Sequence, residues 1–424
     1  MTASAKRLFE RPLAKLAAFA LATVLLVALA SRMIPSEKVC PDFLQFWTAA
    51  TLLSSRHNPY DAASQAAIQR ELVGWDRSVD GLGLYDFLPY YYPPWIGLAC
   101  VPLLPLGYSL AKITWLVINA ELLILAAFIL KGRLPSLPRM VPILVVLVFH
   151  QSFVAVAMGQ LSPLMLFLIA LFWKLCDDHR DVAAGCVLAL TTIKPQLTGL
   201  MILAVLLWSA RQGRWGTLRG FAATLIALCL ASTIISPNWP IAMAKATRVT
   251  PIPTTYYTGL GTTWVTMIKV LGARGLLAYG SYLIVAIPVL LALLRLSITR
   301  TSSLEDVLGL SLIVGFFVAP YSRPYDFPVL LIPALVLLTS RLREWAGAML
   351  LVILIVLPYL HALWMSRMEY GQDTTKLHPE FTYFWVPVLI ATAWWYSERR
   401  TPSMSIIGSA PPPPNWGGSR MTPL

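Results

Sequence analysis

Long apolar runs recur along this chain of 424 residues, and they constrain its fold more than any other feature. The first run extends from Leu13 to Ile34 without an acidic residue. It is long enough to cross a membrane, because about 20 residues of helix span the hydrocarbon core of a bilayer. Charged residues make up only 12% of the chain, well below the roughly 25% that is usual in soluble domains. The sequence therefore predicts an all-α polytopic membrane protein with about 10 to 13 transmembrane or partly inserted helices.

The positive charge of the chain indicates its orientation in the membrane. The net charge is +13, and the Lys and Arg residues occupy short loops between apolar runs. This distribution is typical of cytoplasmic loops and does not indicate a nucleic-acid partner. Basic residues precede the first run, which is too long for a signal peptide, so we expect an uncleaved anchor and a cytoplasmic N-terminus. The five cysteines lack the spacing of a disulfide framework or a metal site, and no cofactor is predicted.

A predicted external loop, residues 35–92, follows the first run. Asp42 lies near its start, and Phe43 to Leu53 has apolar residues at helical spacing, which predicts an amphipathic helix lying on the membrane interface. A negative charge is favoured at a helix N-terminus, so one interpretation is that Asp42 only caps this helix. An Asn58-Pro59-Tyr60-Asp61 turn and a polar helix from Ala62 to Val73 follow. Ordered loops of this length are usually functional.

Two features of the next segments have alternative interpretations. Tyr90 to Trp95 combines tyrosines with prolines, which is typical of an aromatic belt at the level of the lipid headgroups. From Trp95 to Leu130 the apolar sequence is interrupted by prolines and a glycine, and it predicts either two spans or one short dip followed by one span. Two further spans, Met140 to Ala157 and Leu161 to Lys174, are joined by a tight external turn that contains Gly159 and Gln160.

Lys194 lies in the middle of an apolar segment, residues 182–208. Basic residues flank this segment at both ends, so the chain is expected to enter and leave the membrane on one side. The segment is too short for two full crossings at about 20 residues each, which predicts a broken pair of short helices with Lys194 at the tip. An ionisable residue in such a position marks a functional site by default. The alternative is one tilted helix in which Lys194 extends to the membrane surface.

The later spans lead to a second charged cluster. Leu304 to Pro320 is predicted to run outward into an external turn, where Arg323 and Asp326 either contribute to a site or pair with each other. The remaining spans return the chain to the cytoplasm. Residues 1–400 are predicted to form a single membrane domain, and residues 401–424, rich in Pro, Gly and Ser, a disordered cytoplasmic tail.

This topology brings polar residues from separate segments to the external face: Asp42, Asn58, Tyr92, Gln160, Lys194, Arg323 and Asp326. The chain carries no motif of the soluble enzymes, such as a glycine-rich phosphate loop or a nucleophile elbow. Its residue types suit a sugar carried on a lipid phosphate. The cations would hold the phosphate, the aromatic rings would stack on the sugar, and a carboxylate would take a proton.

Five short motifs occur in order between Asp42 and Pro333: Asp42-Phe43, Asn58-Pro59-Tyr60, Tyr92-Pro93-Pro94, Gly159-Gln160 and Ile193-Lys194-Pro195. Through these motifs the sequence resembles glycosyltransferase family 87. The resemblance implies a C-type glycosyltransferase fold, a polyprenyl-phosphate sugar as the donor, and Asp42 as the catalytic base. Members of the family often have a histidine in the late external turn, where this chain has Tyr325 and Asp326.

We therefore expect an inverting glycosyltransferase that moves a mannose-like hexose or a pentose from a polyprenyl phosphate to a lipid or glycan acceptor. Asp42 is the predicted base, and Asp86 and Asp326 are the next candidates. Lys194 and Arg323 are predicted to bind the donor phosphate. Six residues are predicted to contact the substrates: Asn58, Tyr60, Tyr92, Gln160, Tyr325 and Asp326.

The expected location is the inner (plasma) membrane, with both termini cytoplasmic and the active site on the external, periplasmic face. Membrane lipids are the other expected partners. The rival hypothesis is a transporter or flippase of lipid-linked sugars, which would also need broken helices and charges within the membrane. The sequence favours the enzyme, since the two halves lack the corresponding interrupted segments that inverted repeats produce. A non-catalytic scaffold is disfavoured by Lys194.

Overall fold

The computed structural model describes residues 12–36, 39–73, 87–133, 138, 140–249, 261–367 and 379–400. Every regular element within these ranges is helical, which confirms the predicted all-α polytopic class. The α-helices are, in chain order, α1 (Pro12–Met33), α2 (Phe43–Ser54), α3 (Ala62–Val73), α4 (Pro94–Cys100), α5 (Tyr108–Arg133), α6 (Val141–Val148), α7 (His150–Met158), α8 (Ser162–Asp177), α9 (Asp181–Leu190), α10 (Pro195–Arg211), α11 (Trp215–Ile235), α12 (Trp239–Val249), α13 (Trp264–Val270), α14 (Gly275–Ile298), α15 (Leu304–Val318), α16 (Leu331–Val336), α17 (Glu344–Arg367) and α18 (Trp385–Arg400).

Membrane-spanning length is reached by only some of these helices. Four helical segments of the described residues are long and apolar enough to cross a membrane: Pro94–Arg133, Trp215–Ile235, Gly275–Ile298 and Glu344–Arg367. A fifth candidate is the pair α6 and α7, which is bent by 53°. Three further apolar helical segments have 10 to 17 residues, too few for a full crossing at about 20 residues: Asp181–Ile193, Pro195–Arg211 and Pro324–Thr339. These segments are therefore shorter than a full span.

Helix α2 confirms the predicted helix after Asp42, but its burial is not that of an amphipathic helix with one exposed face. Ten of its 12 residues are buried, including the polar Gln45 and Thr48. Helices α4 and α5 pack against α2, and the ring of Phe43 stacks on Trp115 of α5 with 5.3 Å between centroids. Close contact with α4 is possible because of Gly97, where a Cβ atom would lie 2.7 Å from Leu53 Cδ1.

The segment from Trp95 to Leu130 is one short dip followed by one span. Helix α4 has seven residues and continues into a 3-10 turn, Val101–Leu106, before the 26 residues of α5 begin. Gly107, with a φ of 72°, interrupts the helical backbone between the 3-10 turn and α5. The dip packs on α2 and completes the covering of Asp42's helix.

Helices α9 and α10 form the predicted broken pair. Arg214, which follows α10, connects the end of α10 with the start of α9. Its Nε–H donates to Asp181 Oδ1 at 3.0 Å, and its backbone N–H donates to Ser209 O at 2.8 Å. With the 3-10 turn Thr191–Ile193, the first arm is about 20 Å long, short of the roughly 30 Å of a hydrocarbon core. Lys194 separates the two arms and is 2% exposed, so the alternative of a lysine at the membrane surface is wrong.

The bundle has two chemically different ends. One end holds three arginine–aspartate ion pairs, each of which joins two segments of the bundle: Arg133–Asp177, Arg214–Asp181 and Arg341–Asp306. We call this the basic end. The opposite end holds the start of α2, the turn between α7 and α8, Lys194, and the segment that follows α15. The predicted site residues Asp42, Gln160, Lys194, Arg323 and Asp326 all belong to this second end, which we call the site end.

Three predictions fall on residues that the structure does not describe. They concern Asp86 as a base candidate, the basic residues before Pro12, and the tail of residues 401–424. The anchor helix itself is described as α1, where Thr23 Oγ1 donates to Glu121 Oε1 of α5 at 2.8 Å.

Candidate active site

A cavity of about 290 Å³ opens at the site end of the bundle. It is bordered by the start of α2, the segment before α4, the turn before α8, the tip between α9 and α10, one face of α12, and the loop after α15. Five of the predicted site residues line it: Asp42, Tyr92, Gln160, Arg323 and Tyr325. Lys194 and Asp326 are buried against it, since Ile193 and Pro195 form part of its wall.

The position of Asp42 is fixed by the turn between α7 and α8. The backbone N–H of Cys40 donates to Ala157 O at 2.7 Å and that of Asp42 to Met158 O at 3.1 Å. Gly159 adopts a φ of 73°, and a Cβ atom there would lie 2.8 Å from Cys40 Cβ. Only glycine fits both the conformation and the space, so this turn places Asp42 beside Gln160.

The Asp42 carboxylate does not cap its own helix through its side chain. Its Oδ2 instead accepts a hydrogen bond from Nε2 of Gln160. The interpretation of Asp42 as a simple capping residue is therefore not supported. The carboxylate lies on the cavity wall and is held by a side-chain amide from another segment.

Gln160 connects Asp42 to Lys194. The Gln160 side chain is 1% exposed, and its Oε1 accepts a hydrogen bond from Lys194 Nζ at 3.3 Å. Because an ammonium group can only donate, Lys194 fixes which end of the amide faces it. The amide NH₂ is then directed at Asp42. Lys194 thus orients the group that holds the carboxylate.

Lys194 has a buried carboxylate partner that the sequence did not predict. Its Nζ pairs with Asp326 Oδ1, and both side chains are 2% exposed. Asp326 also accepts hydrogen bonds from Ser162 Oγ at 3.0 Å, Ser322 Oγ at 3.1 Å and the backbone N–H of Arg323 at 3.0 Å. A buried ion pair is stable only when the remaining lone pairs are also satisfied, as they are here.

Arg323 and Asp326 do not form the ion pair that was the alternative for this turn. Only the backbone of Arg323 contacts Asp326, while its guanidinium pairs with Glu380, with Nε 2.9 Å from Oε2. The Tyr325 ring lies between the two cations, its centroid 5.1 Å from Lys194 Nζ and 5.2 Å from Arg323 Cζ. Both distances are within the range of cation–π attraction.

Glu380 is a site residue that the sequence did not reveal. It is 8% exposed and lies at the start of a 3-10 turn before α18. The sequence contained one signal that could have pointed to it, since Glu380 is the last acidic residue before the final span. Nothing in the local pattern connects it with Arg323, which is 57 residues earlier.

Asn58 and Tyr60 lie outside the cavity. Asn58 Oδ1 accepts a hydrogen bond from the backbone N–H of Tyr60 at 3.1 Å and so stabilises its own turn. The Tyr60 hydroxyl donates to the carbonyl of Tyr92 at 2.8 Å, which positions the cavity wall. Both residues line a neighbouring groove instead.

Two tyrosines of the cavity wall are kept in their neutral form. Burial raises the pKa of Tyr92 well above its usual value, and the negative charges of Asp326 and Asp42 raise it further. Burial also raises the pKa of Tyr321. Both hydroxyls are therefore protonated at physiological pH and are able to donate hydrogen bonds to substrate oxygens.

The fold and the cavity define a class: a polytopic membrane protein in which a carboxylate, an amide, an ammonium and a second carboxylate are linked inside the helical bundle. Residues 90–320 match the model of glycosyltransferase family 87, over more than half of the chain. The chain belongs to glycosyltransferase family 87, which indicates a glycosyltransferase rather than a transporter. The matched range contains Tyr92, Gln160 and Lys194, while Asp42 precedes it and Asp326 follows it. No curated protein and no solved structure matches the chain significantly.

The Lys194–Asp326 pair leads to a prediction about stability. Lys194→Met should leave the buried Asp326 carboxylate without its partner and destabilise the protein by about 3–5 kcal/mol. Combining it with Asp326→Asn removes both charges and should restore much of the loss. The thermal unfolding midpoint in detergent measures both effects. Lys174→Met is the matched control, because its pair with Asp178 is exposed to solvent and should contribute little to stability. An unchanged midpoint for Lys194→Met would show that the buried pair does not form.

Proposed function

We propose that this protein is an inverting glycosyltransferase that uses a polyprenyl-phosphate sugar and transfers the sugar to a hydroxyl group of a lipid or glycan acceptor. The observation that carries the proposal is the Asp42 carboxylate, which lies on the wall of the cavity and is oriented by the buried Gln160 amide. A fixed carboxylate beside a cavity that also contains a guanidinium suits the transfer of a sugar from a phosphate.

In the proposed reaction Asp42 is the general base. It takes the proton of the acceptor hydroxyl as the oxygen attacks the anomeric carbon. The new bond joins the acceptor oxygen to that carbon, while the bond to the phosphate oxygen breaks on the opposite face. The electron pair leaves with the polyprenyl phosphate, and Asp42 becomes a neutral carboxylic acid. A positioned base contributes typically about 10²- to 10⁴-fold to the rate.

The two predicted phosphate-binding residues are assigned different tasks in this proposal. The ammonium of Lys194 is already matched by Asp326, and its side chain is 2% exposed. Arg323 lines the cavity and is about a quarter exposed. We therefore assign the contact with the donor phosphate to Arg323 and the positioning of Gln160 and Asp42 to Lys194. Leaving-group departure increases the negative charge on the phosphate, so a fixed guanidinium stabilises the transition state more than the ground state.

Glu380 competes with the donor phosphate for Arg323. Carboxylate and phosphate oxygens bind the same fork of guanidinium N–H groups. In the structure Glu380 accepts from two groups of this fork: the Nε–H lies 2.9 Å from Oε2 and 3.2 Å from Oε1, and Nη2 donates to Oε1. Binding of the donor would transfer the guanidinium from Glu380 to the phosphate. Until then, Glu380 compensates the charge of Arg323 in its partly buried position.

The distribution of charge supports an external active site. The basic end carries arginine-rich loops, and Lys and Arg residues in short loops favour the cytoplasm. The site end would then face the outside of the inner (plasma) membrane. Polyprenyl-phosphate donors are lipids, so a cavity at this end would receive the sugar from within the membrane and would need no nucleotide.

Replacement of the base tests the function directly. Asp42→Asn keeps the size and a polar contact to Gln160 but cannot take a proton, so turnover should fall at least a hundredfold. Donor binding should change little. The assay follows a short-chain polyprenyl-phosphate sugar in nanodiscs, with Asp178→Asn at the basic end as the control of unchanged activity. Turnover of Asp42→Asn within a few-fold of the unmodified protein would assign the base to another residue.

Replacement of Glu380 tests the competition for Arg323. Glu380→Gln removes the negative charge that holds the guanidinium, so the dissociation constant of the donor should fall roughly tenfold, equivalent to about 1.4 kcal/mol. Arg323→Met should raise it by at least as much. Binding is measured by titration of a short-chain polyprenyl-phosphate sugar into the protein in nanodiscs. Weaker donor binding in Glu380→Gln would instead make Glu380 part of the donor site.

Sidedness is tested with a membrane-impermeant thiol reagent on intact cells. Asn58→Cys, exposed at the site end, should be labelled, whereas Thr299→Cys, exposed at the basic end, should react only after the membrane is permeabilised. Both changes are made in a variant without the five native cysteines. The reverse pattern would place the active site in the cytoplasm.

A further inference from the structure

A second groove, of about 560 Å³, lies beside the catalytic cavity at the site end. One side is the turn before α3, with Asn58 and Asp61, and the other is formed by Asn238, which precedes α12, and by one face of α12 that includes Lys245. These four polar side chains are exposed. The proposed reaction does not use any of them, and the groove is therefore available for another part of a substrate.

The groove and the catalytic cavity share a wall. Pro89 borders both spaces. Helix α12 also lies between them, with Met243 and Thr247 on the cavity and Ala242 and Lys245 on the groove. The residues of one face of a helix are three or four positions apart, which accounts for this division. A ligand that crosses Pro89 would occupy both spaces at once.

The dividing segment is held rigidly by two buried glutamines of α3. Gln69 exchanges two hydrogen bonds with Leu88, accepting from its N–H at 2.7 Å and donating to its carbonyl at 2.9 Å. Gln65 accepts from the N–H of Tyr90 at 2.8 Å. Both glutamines are at most 2% exposed. The backbone on both sides of Pro89 is thereby fixed, so the two spaces have a defined separation.

The chemistry of the groove suits an uncharged polyhydroxylated ligand. Among the described residues that line it, Asp61 and Lys245 contribute one negative and one positive charge, so the groove carries no net charge. The amide of Asn238 offers donors and an acceptor, and the amide of Asn58 offers its NH₂ donors, since Asn58 Oδ1 accepts from the backbone N–H of Tyr60. The side chains of Tyr60 and Phe87 form an aromatic part of the groove wall. Sugar hydroxyls also donate and accept, so they match this mixed lining, whereas the excess positive charge that would favour a phosphate is absent among these lining residues.

We propose that this groove binds the glycan portion of the acceptor, beyond the sugar unit whose hydroxyl is placed at Asp42. The proposal rests on the proposed function, because it assumes that the neighbouring cavity holds the donor sugar. An acceptor with several sugar units would then extend over Pro89, with its reacting end in the cavity and its distal units between α3 and α12. The enzyme would accordingly prefer acceptors that already carry a glycan chain.

The test compares binding of neutral oligosaccharides of one, two and four hexose units to the full chain in nanodiscs, measured by NMR titration. Two variants alter the groove. Ile241→Trp fills it from a residue that is 60% exposed and lines it, and Lys245→Ala removes its cation. Ala244→Trp is the matched control, because Ala244 is an exposed residue of α12 that does not line the groove.

We expect affinity to increase with chain length in the unmodified protein. Ile241→Trp and Lys245→Ala should weaken tetrasaccharide binding at least tenfold, with a loss that grows with chain length, and Ala244→Trp should match the unmodified protein. The inference is overturned if no neutral oligosaccharide binds, if Ala244→Trp shows the same loss, or if a phosphorylated tetrasaccharide binds more tightly than the neutral one. Donor turnover by the unmodified protein and by Asp42→Asn is measured separately, so failure of the proposed function is distinguishable from failure of the groove.

Discussion

The buried ion pair of Lys194 and Asp326 is the interaction on which the geometry of the site depends. Both side chains are 2% exposed, and a charge in such surroundings is tolerated only with a partner. Asp326 is in turn satisfied by two serine hydroxyls and a backbone N–H. Lys194 extends the network through Gln160 to Asp42. Segments that are far apart in the sequence are thereby fixed around one cavity.

Interruptions in the helices place these groups inside the bundle. Lys194 lies between α9 and α10, where Pro195 begins the second arm and the backbone φ of −126° departs from helix. Gly159 turns the chain between α7 and α8, and Pro324 begins the 3-10 turn that contains Asp326. Irregular backbone at such a depth is tolerated where it lines a cavity. The short hairpin of α9 and α10 is therefore a means of carrying an ammonium into the bundle.

Much of this arrangement was accessible from local patterns, and the failures have identifiable causes. The helix Ala62–Val73 was predicted with the bounds that the structure shows. Basic residues flank residues 182–208 at both ends, so this segment was predicted to enter and leave the membrane on one side as a hairpin. For Phe43–Leu53 the helix was predicted but its burial on nearly all sides was not, because apolar periodicity shows which residues avoid water but not how many neighbouring helices pack around them. Helix α4, which packs on α2, was itself ambiguous in the sequence.

The sequence by itself determined the class of protein, its charge asymmetry and the residues that gather at one end of the bundle. Apolar run length and the placement of Lys and Arg are local properties, so they can be interpreted without a structure. Only the tertiary structure decided which charges pair. Lys194 meets Asp326 across 132 residues and Arg323 meets Glu380 across 57, although Arg323 and Asp326 are neighbours in the chain. Pairing depends on distances of a few ångströms between side chains, and those distances are set by the packing of helices that are remote in sequence.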